Sequence, residues 1–211
     1  MIELYAITDN PGPPLPELAP ELRLVPFDGL AAVCTPASKA EVSPQTLWHH
    51  EEVVEACAVA HGEQVAVGHQ RLDDEAEVAR AMEGRSEELA AALDRVRGAV
   101  ELSVRVMAAA ATPSPPDPVA TTSGAEYLRL RAQAEASRED AAGALHEPLA
   151  ALARESAQGR PRPPELFRAA YLVERGAVDS FVAEVGRLQG ESPGLAVLCT
   201  GPWPPYSFAD R

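Results

Sequence analysis

The apolar positions of this chain change period along its length, and each change marks an element. Residues 2–8 alternate Ile2, Leu4 and Ala6 with Glu3, Tyr5 and Ile7, which predicts a first strand. A Pro- and Gly-rich stretch over 10–20 excludes regular structure there. Two short strands follow at 22–25 and 29–35, the second a continuous apolar run. Ser43 as N-cap and Pro44 at the first helical position open a helix with Leu47, Val53, Val54, Cys57 and Ala60 on its apolar face, ended by Gly62. A β-branched strand is expected at 64–67. Residues 73–97 predict one long helix, with Val78, Met82, Leu89, Leu93 and Val96 at helical spacing. Gly98 closes it, and 99–106 return to period two, with Val100, Leu102, Val104 and Val106 inward and Glu101, Ser103 and Arg105 outward.

A Pro/Ser/Thr-rich segment over 112–123 reads as a linker, dividing the chain into domains 1–111 and 112–211. Residues 125–157 are helical in composition but broken by Gly143 and Pro148. A strand is expected over 166–174, a helix over 177–188 with Val178, Phe181, Val182, Val185 and Leu188 inward, and a last strand over 195–200. The class is α+β, with two small sheets each covered by helices on one face. The β–α–β order of the second half suggests a split-βαβ, ferredoxin-like arrangement there.

Composition narrows the functional classes. The 211 residues carry a net charge of −14, with a sequence pI near 4.7. Such a chain is repelled by phosphate backbones and anionic lipid, so neither nucleic acid nor a membrane is an expected partner. The opening residues lack a basic stretch, and no run reaches the roughly 18 apolar residues of a membrane span, so a cytoplasmic location is expected. Hydrophobic residues make up 46% but aromatics only 5%, and alanine dominates the apolar set, so the core is thin per residue. Cys34, Cys57 and Cys199 are odd in number and widely spaced among apolar neighbours. They read as small buried hydrophobes.

Motifs for chemistry are missing. His49-His50-Glu51-Glu52 is the densest polar cluster, but adjacent histidines point about 100° apart on a helix, and a zinc pair needs i and i+4. His61, His69 and His146 add no ligand spacing. No Gly-x-Ser-x-Gly occurs, and Val67-Gly68-His69-Gln70 has one glycine where a phosphate cradle needs several. Asp73, Asp74 and Glu75 suit a helix N-terminus. No catalytic residue, metal ligand or cofactor is expected.

The C-terminal segment Gly201-Pro202-Trp203-Pro204-Pro205-Tyr206-Ser207-Phe208 stands apart. Trp203, Tyr206 and Phe208 are concentrated here in a chain with two tryptophans, four tyrosines and four phenylalanines. Prolines hold such a segment extended and present its rings. Trp203, Pro204, Pro205, Tyr206 and Phe208 are therefore the candidate residues, either as a cluster docked on the second domain or as an exposed contact for a partner.

This segment resembles the C-terminal signature of the gas vesicle synthesis proteins of the GvpL/GvpF family. Other landmarks fall in the same order: Leu4-Tyr5-Ala6-Ile7, the helix from Leu47-Trp48-His49-His50 to Ala56, Val100–Val106, Gly124-x-x-Tyr127-Leu128-x-x-Arg131, and Tyr171-Leu172-Val173. One departure is that Val65-Ala66-Val67-Gly68-His69-Gln70-Arg71 stands where the family carries a Leu-Pro-x-Arg-Phe-Gly-Thr-like segment. The resemblance implies a ferredoxin-like N-terminal domain, a C-terminal α+β domain and no catalysis. It further implies an accessory role in gas vesicle assembly, with the small hydrophobic shell protein GvpA and other accessory proteins as partners, or alternatively a minor component of the vesicle wall.

Overall fold

In the computed structural model, which describes residues 1–9, 22–36, 43–61, 64–109 and 124–209, two four-stranded sheets carry the architecture. The first runs β2 (Arg23–Phe27), β3 (Leu30–Pro36), β1 (Ile2–Thr8), β4 (Gln64–Leu72), and every neighbouring pair is antiparallel. Asp28 and Gly29 turn β2 into β3 with φ of 41° and 81°, the two positive angles that a two-residue hairpin of matching twist requires. Between Leu4 and Ala6 the register shifts on both sides of β1. That irregularity lets consecutive Tyr5 and Ala6 share one core with Val33, Val53, Val54 and Cys57.

All seven residues of β1 are buried, as are Leu30–Cys34 of β3. Successive strand residues face opposite sides, so this sheet is covered on both faces, not on one as its alternation suggests. α1 (Pro44–His61) lies against β1 and β4. Its start is fixed by Ser43 Oγ accepting the Thr46 N–H at 3.2 Å while Thr46 Oγ1 accepts the Ser43 N–H at 2.9 Å. The single helix expected over 73–97 is two helices, α2 (Glu75–Met82) and α3 (Ser86–Val96). Gly84, at φ 77°, breaks the run, because a left-handed residue cannot continue a right-handed helix. Asp74 caps α2 by accepting the Glu77 N–H at 2.8 Å, and the Glu77 carboxylate accepts the Asp73 N–H at 2.5 Å.

The second sheet runs β6 (Glu155–Gln158), β7 (Glu165–Glu174), β5 (Ala99–Ala108), β8 (Leu195–Trp203). α4 (Gly124–Ala144) and α5 (His146–Ala150) lie between β5 and β6 in sequence, and α6 (Val178–Glu191) between β7 and β8. This is the βαββαβ order with the strand order of a split βαβ, so the ferredoxin-like connectivity is complete here. In the first sheet the same spatial order, 2-3-1-4, is built with its central pair β1 and β3 antiparallel. The core of the second sheet joins Leu102, Val104, Val106, Leu145, Leu149, Phe167, Tyr171, Phe181 and Val185. β6 departs from the helical expectation over 125–157. Glu155–Gln158 pair with Ala169–Leu172, and the ladder outweighs the helix-forming composition of Ala, Ser and Gln.

The chain divides into one compact unit of Met1–Glu101 with Pro202–Arg211, and another of Leu102–Gly201. The segment 112–123, where the sequence places a boundary, lies outside the described residues. The division seen instead falls within β5, and the C-terminal segment returns to the first unit.

Candidate partner-binding groove

The tail is held by contacts of three kinds. Pro205, Phe208 and Ala209 are buried, and the short helix α7 (Tyr206–Ala209) packs against α3 and β4. Within the turn, the Tyr206 N–H donates to the Pro204 carbonyl at 2.8 Å and the Phe208 N–H to the Pro205 carbonyl at 3.1 Å. Tyr206 also packs against the Tyr5–Val33–Val53 core. The docking expected on the second domain is thus made within the unit that holds Met1–Glu101.

Glu101 is the anchor. Its carboxylate accepts the Ser207 N–H at 2.8 Å and the Ser207 hydroxyl at 2.9 Å. Burial raises its pKa above the usual carboxylate range, and the two Ser207 hydrogen bonds offset part of that. The Tyr206 hydroxyl donates to Glu51 Oε2 at 3.3 Å, which ties α7 to α1. Burial, with the negative charge of Glu51 nearby, pushes the Tyr206 phenol well above its ordinary pKa, so it remains a donor at any physiological pH.

These bonds leave a groove of about 540 Å³ within the first unit, lined by Trp48, Glu51, Glu52, Glu101, Trp203, Pro204 and Tyr206. Trp48 is 73% exposed and Trp203 47%. Trp48, Glu51 and Glu52 sit at i, i+3 and i+4 of α1, the spacing that puts side chains on one helix face. The five tail residues singled out in the sequence therefore part company. Phe208 and Pro205 are core, whereas Trp203, Pro204 and Tyr206 form a wall.

The neighbouring histidines point apart, as helical geometry requires. His49 is exposed, with Nδ1 3.9 Å from Glu52 Oε2. His50 is buried, with Nδ1 3.2 Å from Glu3 Oε1 and its ring stacked on Tyr5 at 4.8 Å. His146, in the other unit, meets the Tyr171 hydroxyl at 3.0 Å. The side chains of His61 and His69, and those of 65–70 where the family landmark is lost, lie outside the described residues. Among the described residues no group of three or more His, Cys, Asp or Glu is placed to hold a metal ion. Burial pushes the Cys34 and Cys57 thiols up to about 11, so both stay protonated at neutral pH.

Sequence reasoning missed two members of this site. In the sequence Trp48 is one residue of a helix landmark, and the period of two places Glu101 in the outward set of β5. Neither carries a signal in one sequence, because what recruits them is a segment more than a hundred positions away.

The chain matches the model of the gas vesicle synthesis protein GvpL/GvpF family over residues 3–210. It is 36% identical over 156 residues to gas vesicle protein L of Streptomyces sp. (strain CB03234), a match covering 64% of this chain and 58% of that protein. It is 40% identical over 45 residues to gas vesicle protein F2 of Halobacterium salinarum, a match of 21% of each chain. The chain thus spans little more than half the length of the first of these relatives, and less of the other. Its fold is similar to the crystal structure of GvpF from Anabaena sp. PCC7120, with a TM-score of 0.79 at 19% identity over 99% of this chain and 95% of that one. It is also similar to GvpF from Microcystis aeruginosa, at 0.77 and 18% over 99% and 98%. From its first strand to the tail that closes the groove, the chain belongs to the gas vesicle synthesis protein GvpL/GvpF family.

Proposed function

We propose that this protein is a non-catalytic assembly factor of gas vesicle formation that binds the hydrophobic shell protein GvpA or another gas vesicle accessory protein in the cytoplasm. The observation that carries the reading is the groove. Both tryptophans of an aromatic-poor chain stand open to solvent at its rim, and part-buried hydrogen bonds to Glu101 hold the wall that carries one of them. Large solvent-facing rings over a fixed frame are typical of an interaction surface. A shell subunit apolar enough to line a gas space would aggregate before assembly unless its surface were covered. A carrier with net charge −14 stays soluble while covering it.

The test is pairwise binding of the purified chain to each gas vesicle protein encoded with it. Retention of the shell protein or an accessory protein, lost in a Trp48→Ala/Trp203→Ala variant with unchanged melting temperature, is the expected result. Binding to none of them would overturn the reading. Persistence at fixed stoichiometry in washed vesicles would instead make the protein a component of the wall.

A further inference from the structure

We infer that the groove of Trp48 and Trp203 receives an arginine-bearing segment of the protein partner, the indole faces and the Glu51 and Glu52 carboxylates together selecting the guanidinium. This rests on the assembly reading and names the chemistry of its contact. The described residues that line the groove supply three carboxylates and no lysine or arginine. Glu101 is spent on Ser207 and belongs to the frame. Glu51 and Glu52 are exposed, the first touching only the Tyr206 hydroxyl at 3.3 Å among these lining groups, the second standing 3.9 Å from His49.

Charge and shape then decide the occupant. A purely apolar segment laid over Glu51 and Glu52 would strip water from two carboxylates without replacing their hydrogen bonds, which is costly. An acidic segment would be repelled. A guanidinium does both things the walls ask for, since it stacks on an indole face and donates in parallel to a carboxylate, whereas an ammonium makes only a point contact. The volume of about 540 Å³ exceeds that of one side chain and accommodates a short stretch of peptide. The acidic surface as a whole would speed the encounter with such a segment.

Because Trp48 and Trp203 are the only tryptophans, fluorescence of the full chain excited selectively at tryptophan reports on this groove. The probe is a blocked six-residue peptide alternating arginine and leucine, compared with its lysine and glutamine counterparts. A saturable change with the arginine peptide is expected, about fivefold weaker with lysine and absent with glutamine. Glu51→Gln/Glu52→Gln should weaken arginine-peptide binding at least tenfold. Glu83→Gln/Glu87→Gln, which removes the same charge from exposed positions on and beside α3, should change it less than twofold. Equal weakening by the two double variants, equal binding of the glutamine peptide, or no saturation by millimolar peptide would each overturn the inference. The Glu51→Gln/Glu52→Gln variant is also carried through the pairwise panel. If it retains the natural partner that Trp48→Ala/Trp203→Ala loses, the assembly reading stands and the arginine contact falls.

Discussion

Phe208 and Trp203 lie five positions apart in one aromatic segment and do different work. Phe208 is fully buried in the first unit, so Phe208→Ala removes a ring and leaves a cavity, at a cost of about 3–5 kcal/mol. Trp203 is half exposed, and Trp203→Ala should change stability by no more than about 1 kcal/mol. Thermal melting of the two variants checks the contrast, and equal losses would contradict the placement of the rings. Glu101 adds a dependence on pH. Its folded-state pKa is raised by burial, so its contribution to stability is full below the unfolded value of about 4.5 and is lost as pH rises through the folded value. Glu101→Gln cannot titrate. Urea unfolding of both proteins from pH 4.5 to 7.5 should show the gap between wild type and variant shrinking as pH rises. A gap that widens with pH would mean the carboxylate is stabilised in its charged form.

At the scale of elements, most strands and helices were legible because their cores impose a clear period. β5 alternates beyond Leu102, α6 keeps Phe181, Val185 and Leu188 inward but leaves Val182, also expected inward, 48% exposed, and Ser43 marks the start of α1 by its side chain. Three failures share a cause, in that the deciding partner lies far along the chain. β6 is a strand because Ala169–Leu172 offer it a ladder, Glu101 is buried where Ser207 bonds to it, and β1, with α1 packed against it, is buried along its whole length. The split between α2 and α3 had a local signal in Gly84 that helical periodicity outweighed. No atom lies within 4 Å of a Cβ built on Gly84, so Gly84→Ala meets only backbone strain at φ 77°. It should cost about 1 kcal/mol, read as a lower urea midpoint with unchanged slope. An unchanged midpoint would show that the turn tolerates a side chain.

For the whole molecule, the C-terminal residues belong to the first unit although they follow the second in sequence. Deleting 202–211 should therefore loosen the unit at the other end of the chain. Amide exchange in β1 and β3 should accelerate, while β7 keeps its protection. The opposite pattern would contradict the division into units. The same arrangement makes the groove depend on both ends of the chain, since α1 supplies one wall and the returned tail the other. Fold likeness to two GvpF crystal structures accounts for the frame, and the groove supplies the reading of what the frame presents. That reading is tested most directly by hydrogen–deuterium exchange of the full chain with and without the purified shell protein. Protection concentrated at 48–52 and 203–208, and lost in Trp48→Ala/Trp203→Ala, is the predicted result. Protection confined to other segments, with these two unchanged while the complex forms, would contradict it.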